Sequence, residues 1–239
     1  MKEQDYHIDG IDIKFFKNPK ARNISITIKP FKGVRVSIPR YVTYRQARSF
    51  AKDKLSWIKK NLIKIKKAEE AYSIFNINTS FSTRKHKLEI NHDNSTQMRS
   101  AIKDGKITIR IPLTIKIECT EAQLHIRGAI EKAWKIEAKK YLPIRMNELA
   151  FKHDLAYNKL AIKNTRSRWG SCSSTNNINL SLHLMRLPNS LIDYVILHEL
   201  AHTKVKNHSN EFWKFLDTIT NEKAKLLDKK LKNYRIRIY

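Results

Sequence analysis

Long apolar runs are missing from this 239-residue chain. No stretch approaches the roughly 18 consecutive apolar residues that a membrane-spanning helix requires, which excludes a helical membrane protein. The first ten residues are polar and hold no signal-peptide core, so a cytoplasmic location is expected. Cysteine is scarce: Cys119 and Cys172 stand far apart and outside any CxxC spacing. That excludes a disulfide scaffold and leaves two buried or free thiols in a reducing compartment. No glycine-rich phosphate loop is visible among the five glycines.

Acid is the remaining shortage, with 22 Asp+Glu against 48 Lys+Arg and a formal charge of +26. Such a surface attracts polyanions, so nucleic acid is a candidate partner through the basic surface. A chain rich in Lys, Ile and Asn also arises from an AT-rich genome without selection for binding. The charge is spread along the whole sequence rather than gathered in one run.

What is present is a globular chain, 41% hydrophobic and long enough for one large domain or two small ones. Alternation of apolar and polar residues predicts strands over 23–28 and 34–38, joined by a turn at 31–33, within an antiparallel meander spanning 7–39. Thr43 offers an N-cap, and apolar positions at near-helical spacing predict one lysine-rich helix over 44–71. Strands are expected over 86–90 and 106–111 with loops at 73–80 and 91–100. A helix is expected over 120–149, kinked at Pro143. Strands at 159–163 and 177–184 flank a loop through 166–174. Helices over 188–204, 209–218 and 222–233 close the chain. No internal repeat is evident. The class is α+β, divided into a β-rich part over 1–115 and a helical, metal-binding part over 116–239, or continuous as one domain.

His198-Glu199-Leu200-Ala201-His202 is an HExxH motif in the helix expected to begin near Pro188. Four residues make about one helical turn, so the two imidazoles project from one face about 6 Å apart. That spacing suits one zinc ion, with Glu199 beside it as general base toward the activated water. The surrounding residues Leu191, Ile192, Val195, Ile196, Leu197 and Leu200 are apolar, and ionisable groups in such a helix are costly unless something satisfies them. His208 precedes the next helix, where a turn can swing it back as a third ligand. Three protein ligands leave a fourth position open, the arrangement of catalytic zinc at one ion per chain. His7, His86, His92, His125, His153 and His183 lack ligand spacing.

The segments Arg166-Ser-Arg-Trp-Gly-Ser-Cys172, Asn177-Ile-Asn-Leu180, Asp193-Tyr-Val195, His198-Glu-Leu-Ala-His202 and Asn207-His-Ser209 with Phe212-Trp213 closely resemble the YgjP-like metallopeptidase family, a relative of the SprT-like zincins. Upstream, Ile38-Pro39 and Trp57-Ile58 also look like this family, so the resemblance spans nearly the whole chain. It implies a zincin-like fold, His198, His202 and His208 as ligands, and Glu199 as catalyst. It leaves the substrate open, because the family also carries a nucleoside triphosphate (UTP) pyrophosphatase assignment, and SprT-like relatives add a DNA-associated protease by analogy. HExxH chemistry favours a peptide substrate, with a nucleotide second. Arg166 and Arg168 are candidates to hold a phosphate or a peptide carbonyl near the metal. Trp169 fits a core position, and Phe212 and Trp213 fit helical core anchors behind His208.

Overall fold

A computed structural model of the chain describes residues 3–29, 31, 33–70 and 73–234. Lys32 of the expected turn and Ala71 at the expected helix end lie outside the described residues. The chain divides into two compact units, one holding the described residues up to Ser73 and the other those from Ile74 onward.

In the first unit, β1 (Glu3–Ile8), β2 (Ile11–Lys17), β3 (Ser25–Lys29) and β4 (Gly33–Ile38) form a sheet in the order β1-β2-β4-β3. The expected meander is therefore corrected. β4 folds back between β2 and β3, so β2 and β4 run parallel while β3 and β4 form the hairpin. Alternation reports which face is buried and says nothing about which strand lies alongside. The single basic helix is likewise two: α1 (Tyr44–Asp53) and α2 (Leu55–Glu70), separated at Lys54. Thr43 caps α1 as expected, its side chain accepting from the Gln46 N–H while the Gln46 side chain accepts from the Thr43 N–H. Ala47, Ala51 and Ile58 join Ile13, Phe15, Val36 and Ile38 in one core.

The second unit opens with β5 (Lys87–Asp93), β6 (Arg99–Lys103) and β7 (Lys106–Pro112), in the order β5-β7-β6. β5 and β7 are parallel, and β6 and β7 form a hairpin. This has the same topology as the β2-β4-β3 arrangement of the first unit. The loop expected over 91–100 gives way to the end of β5 and the start of β6. The turn after β6 is Asp104-Gly105, both at positive φ, as a two-residue hairpin requires. These strands lie in the same unit as α3 (Thr120–Lys152), which packs on β6 and β7. Pro143 lies inside α3, and the helix continues past it to Lys152.

β8 (Lys159–Lys163), β9 (Gly170–Cys172) and β10 (Asn177–Ser181) make a third sheet in the order β8-β10-β9. The strand expected to reach residue 184 stops at Ser181, whose hydroxyl accepts from the His183 N–H and starts a 3₁₀ turn over Leu182–Arg186. Then come α4 (Asn189–Ala201), α5 (Asn210–Ile219) and α6 (Ala224–Lys232). α4 is buried almost all round, and two arginines fix it in place. Arg84 donates to the Met185 and Leu187 carbonyls ahead of its first turn and to the side chain of Asn189 within it. Arg145 of α3 grips Asp193 through two bonds of 2.7 Å. No helix among the described residues is long and apolar enough to cross a membrane.

Candidate metal centre

α4 carries His198 in its last turn, and His202 forms its C-cap. Loop 203–209 then reverses, and His208 stands just before Ser209, the N-cap of α5. One potential ligand atom from each of the three imidazoles lies within 4.8 Å of the others. His208 Nε2 is 3.1 Å from His198 Nε2. His202 is oriented from behind by a 3.0 Å hydrogen bond between Nδ1 and the Val205 carbonyl, which leaves Nε2 free to face the cluster.

Burial holds the His198 imidazole at about 4, with His202 and His208 pushing the same way. Burial also lowers His202, against the Val205 carbonyl. Both rings are therefore neutral at pH 7, the state in which imidazole binds a metal. Glu199 is buried, and burial raises its carboxyl from the ordinary 4.5 to about 8, with the Arg168 guanidinium partly offsetting that. Its Oε2 has no hydrogen-bond partner among the described residues. A buried orphan oxygen beside three converging nitrogens is the environment a cation satisfies. Three nitrogen donors of intermediate softness suit zinc.

β9 crosses directly over this carboxyl. A Cβ added to Gly170 would lie 2.5 Å from Glu199 Oε1 and 2.7 Å from its Cγ, so any other residue there would push the Glu199 side chain aside. Gly170 carries no signal in the sequence, because it falls in a stretch that reads as a loop. β9 is also an edge strand of its sheet among the described residues. Gly170 pairs with Leu180 and Cys172 with Ile178. The bonds Ser181 N–H to Trp169 carbonyl (2.8 Å) and Ser173 N–H to Asn177 carbonyl (2.9 Å) bracket that ladder. Because bonded positions alternate along an antiparallel pair, Gly170 and Cys172 turn their own N–H and C=O groups to the open side. Lys206 ties the β9–β10 turn to the ligand loop by donating to the Ser173 carbonyl at 3.1 Å and to Asn176.

The two arginines part company. Arg166 is held by Glu131 of α3, whereas Arg168 is exposed and its charge reaches Glu199. Trp169 is half-buried. Phe212 is fully buried and its ring meets all three histidines. Of the other histidines, His183 is buried against Asn164 and His86 is paired with Glu137, both away from the cluster.

The family model for YgjP-like metallopeptidase domains matches residues 22–234. No curated protein matches the chain. Among solved structures, the metallopeptidase zymogen jannalysin of Methanocaldococcus jannaschii is 26% identical, with 38% of this chain and 93% of that one covered, at a TM-score of 0.34. The metallopeptidase zymogen abylysin of Pyrococcus abyssi is 20% identical, with 38% and 91% covered, at a TM-score of 0.35.

Proposed function

The chain belongs to the YgjP-like metallopeptidase family, and from that premise we propose that it cleaves peptide bonds with one zinc ion held by His198, His202 and His208 and with Glu199 as general base. The observation that carries the reading is the stacking of three elements: the histidine cluster, the buried Glu199 carboxyl and the open edge of β9 over it. A zinc ion in that cluster would supply a Lewis acid and bring the pKa of water near neutrality.

The chain's own residues do the rest. A positive charge among the imidazoles would draw the Glu199 carboxyl back down from about 8, leaving it ionised near pH 7. As carboxylate it takes the proton of the attacking water, and as acid it returns that proton to the departing amine. An extended peptide would pair with the outward backbone groups of Gly170 and Cys172, which sets its carbonyl over Glu199 without reading side chains. Arg168, whose charge reaches Glu199, would supply a cation to the same carbonyl.

One observation favours a second substrate class. The exposed guanidinium of Arg168 also suits a phosphate, so a nucleoside triphosphate stands behind the peptide. The deciding experiment offers zinc-loaded protein a panel of denatured proteins and nucleoside triphosphates, with the Glu199→Gln protein alongside. New peptide termini formed only by the wild type support the peptidase. Nucleotide hydrolysis with no peptide cleavage, lost in Glu199→Gln, overturns the substrate while keeping the site.

A further inference from the structure

Phe212 does more than anchor α5. Its ring centroid lies 5.0 Å from that of His198, 4.5 Å from His202 and 4.8 Å from His208. It stacks on His202 at 24° between planes and meets the other two edge to face, at 70° and 74°. Its neighbours reach less: Tyr194 meets only His198 of the three, and Trp213 only His208.

Imidazole ligands are ordinarily held in orientation by a hydrogen bond on the nitrogen away from the metal. His202 has one, to the Val205 carbonyl. Among the described residues, the polar contact of the His198 and His208 rings is with each other, between the Nε2 atoms that would face an ion. The Asp228 carboxylate reaches His198 through charge alone. Rotation of these two rings about their Cβ–Cγ bonds is therefore limited by ring contacts, in the exposed His208 as in His198, and the ring that touches all three histidines is Phe212. That ring is itself locked. It sits in the first turn of α5, one turn after His208, and Leu216 and Ile219 bury the same face of the helix.

We propose that Phe212 is a positioning residue of the metal centre, whose flat ring sets the rotation of the three imidazoles and thereby the affinity and coordination geometry of the ion. This rests on the reading of His198, His202 and His208 as ligands. The sequence encodes the device as an aromatic residue four positions after the third histidine, in the first turn of the helix that the histidine precedes.

The test titrates metal-free wild type, Phe212→Leu and Leu216→Ala with Zn²⁺ and Co²⁺, recording affinity, the visible Co²⁺ spectrum and the melting curve before metal is added. Leucine keeps apolar bulk and loses the flat face. Leu216→Ala loosens the same helix from its core one turn further on. Phe212→Met serves in place of leucine should that protein not fold. The expected result for Phe212→Leu is a loss of zinc affinity on the order of tenfold to a hundredfold with an altered Co²⁺ spectrum. Leu216→Ala should keep the wild-type spectrum even where its metal-free melting point falls as far. Wild-type affinity and spectrum in Phe212→Leu would overturn the proposal, and so would an equal loss in Leu216→Ala, which would assign the effect to helix packing. A wild type that takes up neither ion would overturn the three-histidine reading itself, and the proposal with it.

Discussion

The strands β2-β4-β3 and β5-β7-β6 are wound alike, each a parallel pair closed by a hairpin and followed by helix, yet only the second lies in the unit that holds the histidine cluster. In the first unit the helix is broken at Lys54, and α2 leaves Trp57 and Ile63 exposed among lysines. In the second, α3 runs unbroken for 33 residues. It is buried toward the sheet and again toward the 3₁₀ turn and α4, where Trp134 packs against His183. A sheet and a helix make a stable layer in both cases. A helix covered on a second side becomes a platform that can hold another helix rigidly, and two residues of the histidine cluster, His198 and His202, stand at the end of that helix.

If the comparison is right, the largest effects belong to the second unit. Replacing Glu199 with Gln keeps the shape and removes the proton acceptor, so zinc content should hold while peptide cleavage falls at least about a hundredfold. Unchanged turnover would place the base elsewhere. Gly170→Ala should follow, because its Cβ would enter the space of the Glu199 carboxyl. The expected loss in kcat is on the order of tenfold to a hundredfold with zinc retained. A fully active Gly170→Ala protein would show that the carboxyl need not sit where β9 crosses it.

A third effect appears only without metal. The folded Glu199 carboxyl titrates at about 8 instead of 4.5, so below pH 4.5 it is protonated in both folded and unfolded chains and contributes nothing. As pH rises from 4.5 to about 8 the unfolded chain ionises first, which costs the folded state up to about 1.4 kcal/mol per pH unit. Metal-free Glu199→Gln should therefore melt higher than wild type at pH 8, with the gap closing by pH 4. Parallel melting curves at both pH values would remove burial as the cause. The smallest effect belongs to the first unit. Reversing the charge of Lys59, Lys60, Lys64 and Lys66 on α2 should change neither zinc content nor turnover. At near-physiological salt, where screening acts over about 8 Å, neither that protein nor wild type should bind duplex DNA measurably. Micromolar binding lost on charge reversal would instead make α2 a nucleic-acid surface.

The two units also differ in how far their sequence can be read. The helix that carries His198 and its convergence with two further histidines were legible because three constraints coincide there: histidines one turn apart, apolar neighbours on every side, and a third histidine before the next cap. Thr43 and the Ser209 start of α5 were legible for the same local reason. Strand order was not, since Ile26, Ile28, Val34 and Val36 alternate in the same way whichever strand lies beside them. β9, three residues long, is too short to show a period, and so the edge over Glu199 stayed hidden in an expected loop. β6 was missed because its pattern is masked by polar residues on an edge, although Asp104-Gly105 marks the turn that follows it. Arg166 and Arg168 look equivalent in sequence, and only the position of Glu131 separates them.

The proposed chemistry turns on the cluster of His198, His202 and His208, and metal content tests that cluster directly. Purified wild-type protein, dialysed and assayed by atomic emission, should hold about one zinc per chain, because three imidazoles make one open tetrahedral site. His202→Ala, prepared the same way and shown to be folded, should hold almost none. Equal zinc in the two proteins, or none in the wild type after reconstitution, would contradict the account at its centre.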